Sequence, residues 1–127
     1  MNFKIKTMQT ENLAILKIYF RYGQSVKNQN FWKKLWNNNL GEYLLKMAKK
    51  SGIHQANIFT AKSGYLSNDL IQYNISEIPS SKNTACLELI DESNKLKSFL
   101  NENEEFLRAT HLILFNNHKF NYHSTTK

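Results

Sequence analysis

The sequence predicts one α+β domain whose elements follow the order β, α, β, β, α, β. The chain has 127 residues, of which 41% are hydrophobic and 13% aromatic, enough for a two-layer core and too many for a disordered chain. The order of elements follows from the spacing of the apolar residues, which alternates along the chain between the period of a strand and the period of a helix. We expect the domain to cover residues 12–120, after an N-terminal extension of residues 1–11 and before a flexible tail of residues 121–127.

The first strand is predicted at residues 13–22, because residues of one parity are apolar while the other parity includes Lys17 and Arg21. The apolar face comprises Ala14, Leu16, Ile18, Phe20 and Tyr22. Gly23 ends this strand. The following residues 24–39 show no strand period, and their FWKKLW segment is predicted to form a helical turn that packs on the body of the domain.

The first helix is predicted to begin at Leu40, where apolar residues recur at helical spacing. Asn39 and Glu42 have the spacing of a capping box, in which the Asn side chain accepts a hydrogen bond from the first turn. Gly52 can take the left-handed conformation that ends a helix, and Ile53 can close over it.

The second half of the chain supplies three more strands and a helix. The strands are predicted at residues 56–61, 84–90 and 111–115, and the second helix from about Ser93. Residues 62–83 break both patterns with Gly, Pro, Ser and Asn, which predicts a long loop. Loops of this length are usually functional or disordered. We expect this one to be mobile and to bind a partner through its isolated apolar residues, among them Leu70, Ile71 and Ile75.

Right-handed connections fold this order into a ferredoxin-like domain, a four-stranded antiparallel sheet with two helices on one face. The other face of the sheet is left uncovered and is too apolar for a monomer. We therefore expect an oligomer whose interface contains Ile15, Tyr19, Phe59, Ile90, Ile113 and Phe115. The alternative is an RNA-binding domain of the same strand order, in which bases stack on Tyr19, Phe59 and Phe115.

Other classes of function find less support in the residues. Cys86 is the single cysteine, so one chain can build neither a disulfide framework nor a thiolate zinc site. The four histidines lack the spacing of a helical metal pair, no acid and base are paired, and no glycine motif for phosphates is present. We expect a cytoplasmic protein that is not an enzyme and binds no metal, and its net charge of +7 favours anionic partners.

A candidate ligand site lies at the start of the long loop. Lys62, Ser63, Gly64 and Tyr65 offer an ammonium group, a hydroxyl, a backbone that can be approached closely and a ring for stacking. A nucleotide requires these groups, and Arg21 can supply a second positive charge. The alternative is an ordinary loop turn without a ligand.

Four segments of the chain resemble one known family. They are LKIYF, LGEYLLKMAKKSGI, ANIFTAKSGYLS and CLELIDESNKLKSFL. Together they make residues 13–120 similar to the bacterial and archaeal PII-like proteins catalogued as a domain of unknown function, DUF190, which are related in fold to the nitrogen-regulatory PII proteins. Gly64 and Tyr65 match the family's glycine and aromatic residue after the second strand, whereas Thr60, Ala61 and Leu66 depart from its pattern.

The resemblance implies a signalling or regulatory protein. It implies a homotrimer whose three sheets face a central axis, with small-molecule clefts between subunits near the long loop. An adenine nucleotide is the first ligand that it suggests, although no cofactor follows from the residues themselves. The partner that it implies for the loop is a membrane transporter or an enzyme.

Overall fold

A computed structural model of the chain describes residues 4–7, 13–23, 39–73, 80–116 and 123–126, the first and last of these as backbone. The FWKKLW segment and residues 74–79 of the long loop, with Ile75, lie outside the described residues. Within the described part, we find no helix that is both long and apolar enough to span a bilayer.

The described elements are two helices, eight strands and a short 3-10 turn. In chain order they are β1 Lys4–Thr7, β2 Leu13–Arg21, α1 Leu40–Lys50, β3 Gln55–Thr60, β4 Ser63–Gly64, β5 Gln72–Tyr73, β6 Thr84–Glu92, α2 Ser93–Glu102, the 3-10 turn Glu104–Leu107, β7 His111–Phe115 and β8 His123–Thr126.

The main sheet has the order β3-β6-β2-β7, and all of its strands are antiparallel. Helix α1 packs on β3 and β6, and α2 packs on β6 and β2, so one sheet face carries both helices. This confirms the predicted ferredoxin-like α+β fold.

Two parts of the structure differ from the prediction. The predicted loop, residues 62–83, contains a hairpin in which β4 pairs with β5. In addition, β1 pairs with β8 in a separate two-stranded sheet, which joins the predicted N-terminal extension to the segment predicted as a flexible tail. The periodicity of apolar residues did not reveal either pair of strands. Strands of two residues, and strands made mostly of polar residues, show no alternation of apolar and polar positions that could be recognised.

The core lies between the helices and one parity of the central strands. Strand alternation places every second residue of β2 on the helix side, and these residues are buried. They pack with residues of β6, α1 and α2 in one cluster that includes Leu16, Ile18, Phe20, Leu44, Ala48, Leu87, Leu89, Leu96 and Phe99.

Helix α1 has the predicted caps. The Asn39 side chain accepts a hydrogen bond from the Glu42 N–H at 3.2 Å and donates one to the Tyr22 carbonyl at 2.9 Å. Gly52 has a φ of +74° and follows the helix as the predicted left-handed residue. Asn39 therefore pairs a backbone N–H group that the first turn of the helix would otherwise leave without a partner. It also links the start of the helix to the end of β2.

The ends of the two helices meet at a buried carboxylate. Asp91 is 7% exposed and accepts hydrogen bonds from the N–H groups of His54 and Glu92 at 2.7 and 2.6 Å. Lys95 Nζ lies 3.1 Å from Asp91 Oδ2 and donates to the Gly52 carbonyl at 2.6 Å. Burial acts to raise the pKa of the Asp91 carboxyl, but these hydrogen bonds and Lys95 together hold its pKa below its usual value.

We expect Asp91→Asn to lower the free energy of unfolding at neutral pH by about 1–3 kcal/mol, because it removes a charged acceptor of buried hydrogen bonds. A carboxyl with a depressed pKa stabilises the fold fully above its unfolded pKa of about 4, and this contribution is lost as pH falls through the folded value. The difference from the wild type should therefore shrink as pH falls below about 4. Urea unfolding across pH measures it, with the exposed Glu102→Gln as control, and a difference that stays constant would contradict the role of Asp91.

We expect Gly41→Ala to destabilise the fold although alanine is the better helix former. An added Cβ would lie 2.7 Å from Cζ of the buried Phe20 ring. Overpacking of this kind costs about 1–3 kcal/mol, more than the gain of about 1 kcal/mol in helix propensity. Gly64→Ala is the matched control, since its Cβ would meet neighbours at an ordinary 3.6 Å. Equal unfolding free energies for the two variants in urea would refute the expected clash.

Candidate functional site

The predicted ligand residues lie at one end of the main sheet, where β2 and β3 end and the long loop begins. Arg21 is the last residue of β2 and pairs with Thr84, the first residue of β6. On the other side of β6, the Ala61 N–H donates to the Thr84 carbonyl at 2.8 Å. We call this end of the sheet, with residues 61–65, 83 and 84 and Arg21, the loop base.

Asn83 joins the strands at the loop base. Its side chain is fully buried, and the side-chain amide donates to the Ala61 carbonyl at 2.7 Å. Its backbone carbonyl accepts from the Tyr22 N–H at 2.7 Å. Sequence analysis missed Asn83, because nothing in the local pattern distinguishes this Asn from the solvated Asn and Ser residues around it. Its buried hydrogen bonds make it the residue that holds the ends of β2 and β3 at a fixed spacing.

Arg21 is held by a carboxylate of the loop itself. Its Nε donates to Asp69 Oδ2 at 2.6 Å and its Nη2 to Asp69 Oδ1 at 3.2 Å. The two side chains are 35% and 17% exposed. The hydrogen bond from Arg21 lowers the pKa of the Asp69 carboxyl and raises the pKa of the guanidinium, so both groups are charged at neutral pH.

The other predicted ligand residues follow β3, across β6 from Arg21, and they do not form an enclosed pocket within the described part of the chain. Ser63 and Gly64 form β4, Lys62 precedes it, and Tyr65 follows it with 58% of its surface exposed. Gly64 has no left-handed backbone, and the fold leaves ordinary room for a Cβ there. Its glycine is therefore not required by the backbone of the free chain.

Two cavities near the helices do not coincide with the loop base. A cavity of about 210 Å³ lies under the start of α1, among Phe20, Tyr22, Asn39 and Ile58. A groove of about 620 Å³ lies between α1 and the start of β3, beside Lys46, Lys49 and His54. The first is smaller than the 300–1,000 Å³ typical of ligand pockets, and the second lies at the far end of β3.

The hairpin that follows the loop base exposes several large apolar side chains. Leu70 is 83% exposed, and Tyr65, Ile71 and Tyr73 are each more than half exposed. The turn between β4 and β5 contains Ser67 at a φ of +52° and a hydrogen bond from the Asp69 N–H to the Leu66 carbonyl at 3.0 Å. This turn presents Asp69 to Arg21.

The residues predicted for the oligomer interface share the uncovered sheet face. The register places Ile15 between Ile90 and Phe115, and it places Tyr19 next to Cys86, which itself pairs with Phe59. Ile113 pairs with Lys17 on the same face. Phe59, Ile113 and Phe115 are 55%, 46% and 44% exposed.

A charged pair lies in the middle of this face. Lys17 Nζ is 3.7 Å from Glu88 Oε2 and 5.9 Å from the centre of the Phe115 ring.

Burial raises the pKa of the nearby Cys86 thiol, so the thiol is protonated at neutral pH and is a poor nucleophile. Among the described residues, no three His, Cys, Asp or Glu side chains are grouped so that they could hold a metal ion.

Comparisons with known proteins find a relative in sequence and several similar solved structures. The UPF0166 protein of Aquifex aeolicus is 29% identical over 96 residues, which cover 75% of this chain and 82% of that protein. Among solved structures, CPII of Thiomonas intermedia, a nitrogen regulatory PII-like protein bound to ADP, AMP and bicarbonate, is 13% identical, with a TM-score of 0.49 and coverage of 97% of this chain and 91% of its own. A PII-like signalling protein of Thermus thermophilus is also 13% identical, with a TM-score of 0.48 and coverage of 99% and 93%.

A sequence model of the DUF190 family, described as "Uncharacterized ACR", matches residues 13–119. This match spans all four strands of the main sheet, both helices and the loop base. The chain belongs to the DUF190 family.

Proposed function

We propose that this chain is a PII-like regulatory protein that binds an anionic small molecule, with an adenine nucleotide first, between the subunits of a homotrimer. We further propose that residues 62–83 report the bound state to a partner, which would be a membrane transporter or an enzyme. The observation that carries the proposal is the position of Arg21, which presents two hydrogen-bond donors to an acidic group at the loop base.

Two cations at the loop base support an anionic ligand. Arg21 and Ala61 flank Thr84 on neighbouring strands, so their backbones lie about 10 Å apart at normal strand spacing. Lys62 follows Ala61 directly. A ligand with more than one phosphate can reach both side chains, and an Arg fork binds phosphate oxygens in the same way as it binds a carboxylate.

The uncovered face supports self-association. Its exposed Phe and Ile side chains form the kind of patch that monomers rarely leave in water. Lys17 and Glu88 already neutralise each other within one chain, so burying the face does not leave an isolated charge. Packed copies would also add walls to the loop base, which forms no enclosed pocket of ligand size within the described part of one chain.

RNA binding on the same face is the second candidate, carried by the exposed rings of Phe59 and Phe115. The Lys17–Glu88 pair disfavours RNA binding. The Glu88 carboxylate repels phosphates, and its ion pair with Lys17 makes the Lys17 ammonium less available to them. Self-association and base stacking need the same surface, so the oligomeric state distinguishes the two candidates.

We propose a binding protein rather than an enzyme. The groups at the loop base are an ion pair, hydrogen-bond donors and a ring, which suit recognition of a ligand. The thiol of Cys86 lies on the proposed interface and burial raises its pKa, which makes it a poor nucleophile.

The wild type is expected to be a trimer at micromolar concentration, with a mass three times the 14.9 kDa of one chain by light scattering. Phe115→Lys should dissociate it, because the variant buries an unpaired charge in the interface. The matched control is Leu112→Lys, which changes an apolar residue of β7 that is also about two-fifths exposed but lies on the helix side. A monomeric wild type would exclude the proposed assembly and favour the RNA-binding candidate.

Adenine nucleotides are expected to raise the melting temperature. Ligand at a hundred times its dissociation constant adds about 2.7 kcal/mol of stability, which for a chain of this size is a shift on the order of ten degrees. ATP, ADP, AMP and cyclic nucleotides form the test set in a thermal-shift assay. If none of them shifts the melting temperature, the nucleotide proposal is wrong, and the fold and the trimer are unaffected.

The same assay tests the role of Lys62. Lys62→Ala should lose most of the shift, because a charged hydrogen bond to phosphate is worth about 1.5–3 kcal/mol. Lys97→Ala on the exposed side of α2 is the matched control and should retain the full shift. Equal shifts for the two variants would remove Lys62 from the site.

A further inference from the structure

The Arg21–Asp69 pair connects the sheet to the hairpin. Arg21 ends β2, Asp69 lies 48 residues later in the turn between β4 and β5, and two donors of the guanidinium meet the two carboxylate oxygens. An arginine uses this arrangement for any planar carboxylate or for a phosphate. Asp69 therefore occupies the place on Arg21 that an anionic ligand would take.

Within residues 63–73, the other described side-chain links from the hairpin to the rest of the domain are uncharged contacts, among them the hydrogen bond from Ser80 Oγ to Gln72 Oε1 at 3.1 Å. Strands β4 and β5 have two residues each and pair with each other. Ser67 Oγ lies 3.4 Å from His111 Nε2 in an exposed contact, and Leu70 and Ile71 are mostly exposed. Apolar burial thus does little to fix the turn, and the ion pair is its strongest described link to the sheet.

We propose that Asp69 is an internal competitor for Arg21, so that an anionic ligand at the loop base displaces Asp69 and releases the hairpin. This inference rests on the proposed function, because it assigns how the ligand site and the loop communicate. The displaced carboxylate would leave Arg21 and Lys62 to the ligand. Suppose that the bound anion raises the affinity for a partner that draws the hairpin away from the sheet. By thermodynamic reciprocity, that partner then raises the affinity for the anion by the same factor.

Lys82 also faces this pair. Its positive charge favours the ionised form of Asp69, and it lies at the end of the loop, next to the buried Asn83. Release of Asp69 would therefore leave the two cations of the loop base, Arg21 and Lys62, and the neighbouring Lys82 without the negative charge of Asp69 between them. This excess of positive charge is what an anionic ligand neutralises. Ligand and carboxylate exclude each other because both need the same two donors of Arg21.

The test compares Asp69→Asn with Arg21→Gln by two measurements, ADP affinity by calorimetry and hydrogen exchange of the amides of residues 63–73. Both variants break the ion pair, so both should speed exchange in the hairpin. Their ADP affinities should move in opposite directions. Asp69→Asn removes the competitor, and its affinity should rise about two- to fivefold, the range for an exposed ion pair; Arg21→Gln removes the ligand's own contact, and its affinity should fall about tenfold or more.

Glu92→Gln is the control for the change in net charge. Glu92 is exposed and lies at the opposite end of the β2–β6 ladder from Arg21, about 25 Å away at the rise of a strand, and its substitution should change neither measurement. ADP binding to Asp69→Asn that is unchanged or weaker would overturn the competition and leave the ligand proposal standing. Unchanged hairpin exchange in both ion-pair variants would overturn it as well. If ADP binds neither the wild type nor any variant, the nucleotide proposal fails, and the competition fails with it.

Discussion

The alternation of side chains along β2 is the constraint on which the rest of the molecule depends. This strand is paired on both sides, so its register is set by β6 and β7 together, and one parity must fill the core under the two helices. The other parity then necessarily contains Ile15, Lys17, Tyr19 and Arg21. The arginine of the candidate site therefore has the same parity as the uncovered apolar face and lies at its rim. A ligand on Arg21 and a second copy on that face would be neighbours.

Periodicity was sufficient for the elements that build this sheet. The apolar alternation of β2 and the helical spacing after Asn39 each depend on residues close in sequence, and the structure has both elements where they were predicted. The strand predicted at residues 84–90 extends to Glu92 in the structure. Its last residues, among them the buried Asp91, are polar. A local pattern has no means of showing that such a polar residue is buried by hydrogen bonds to a distant turn.

The candidate site was predictable only in part, for a related reason. Lys62, Gly64 and Tyr65 were predicted because they follow a predicted strand, and Arg21 because it lies near the end of another; their role in ligand binding stays a prediction. Asp69 and Asn83 were missed, although they make the hydrogen bonds that organise the loop base. The partners of their side chains, Arg21 and Ala61, lie at least twenty residues away. Only the strand order brings these residues together, so single-residue chemistry along the chain did not single them out from other loop residues.

The left-handed backbone of Ser67 bears on how firmly the docked hairpin is held. At a φ of +52°, a residue other than glycine pays a steric penalty of about 1–2 kcal/mol. This cost offsets part of the stabilisation from the Arg21–Asp69 pair, since ion pairs at the surface contribute about 0.2–1 kcal/mol and a part-buried pair contributes more. A ligand that displaces Asp69 would therefore have only a small net stabilisation of the docked hairpin to overcome, so a modest difference in binding is enough to shift the balance.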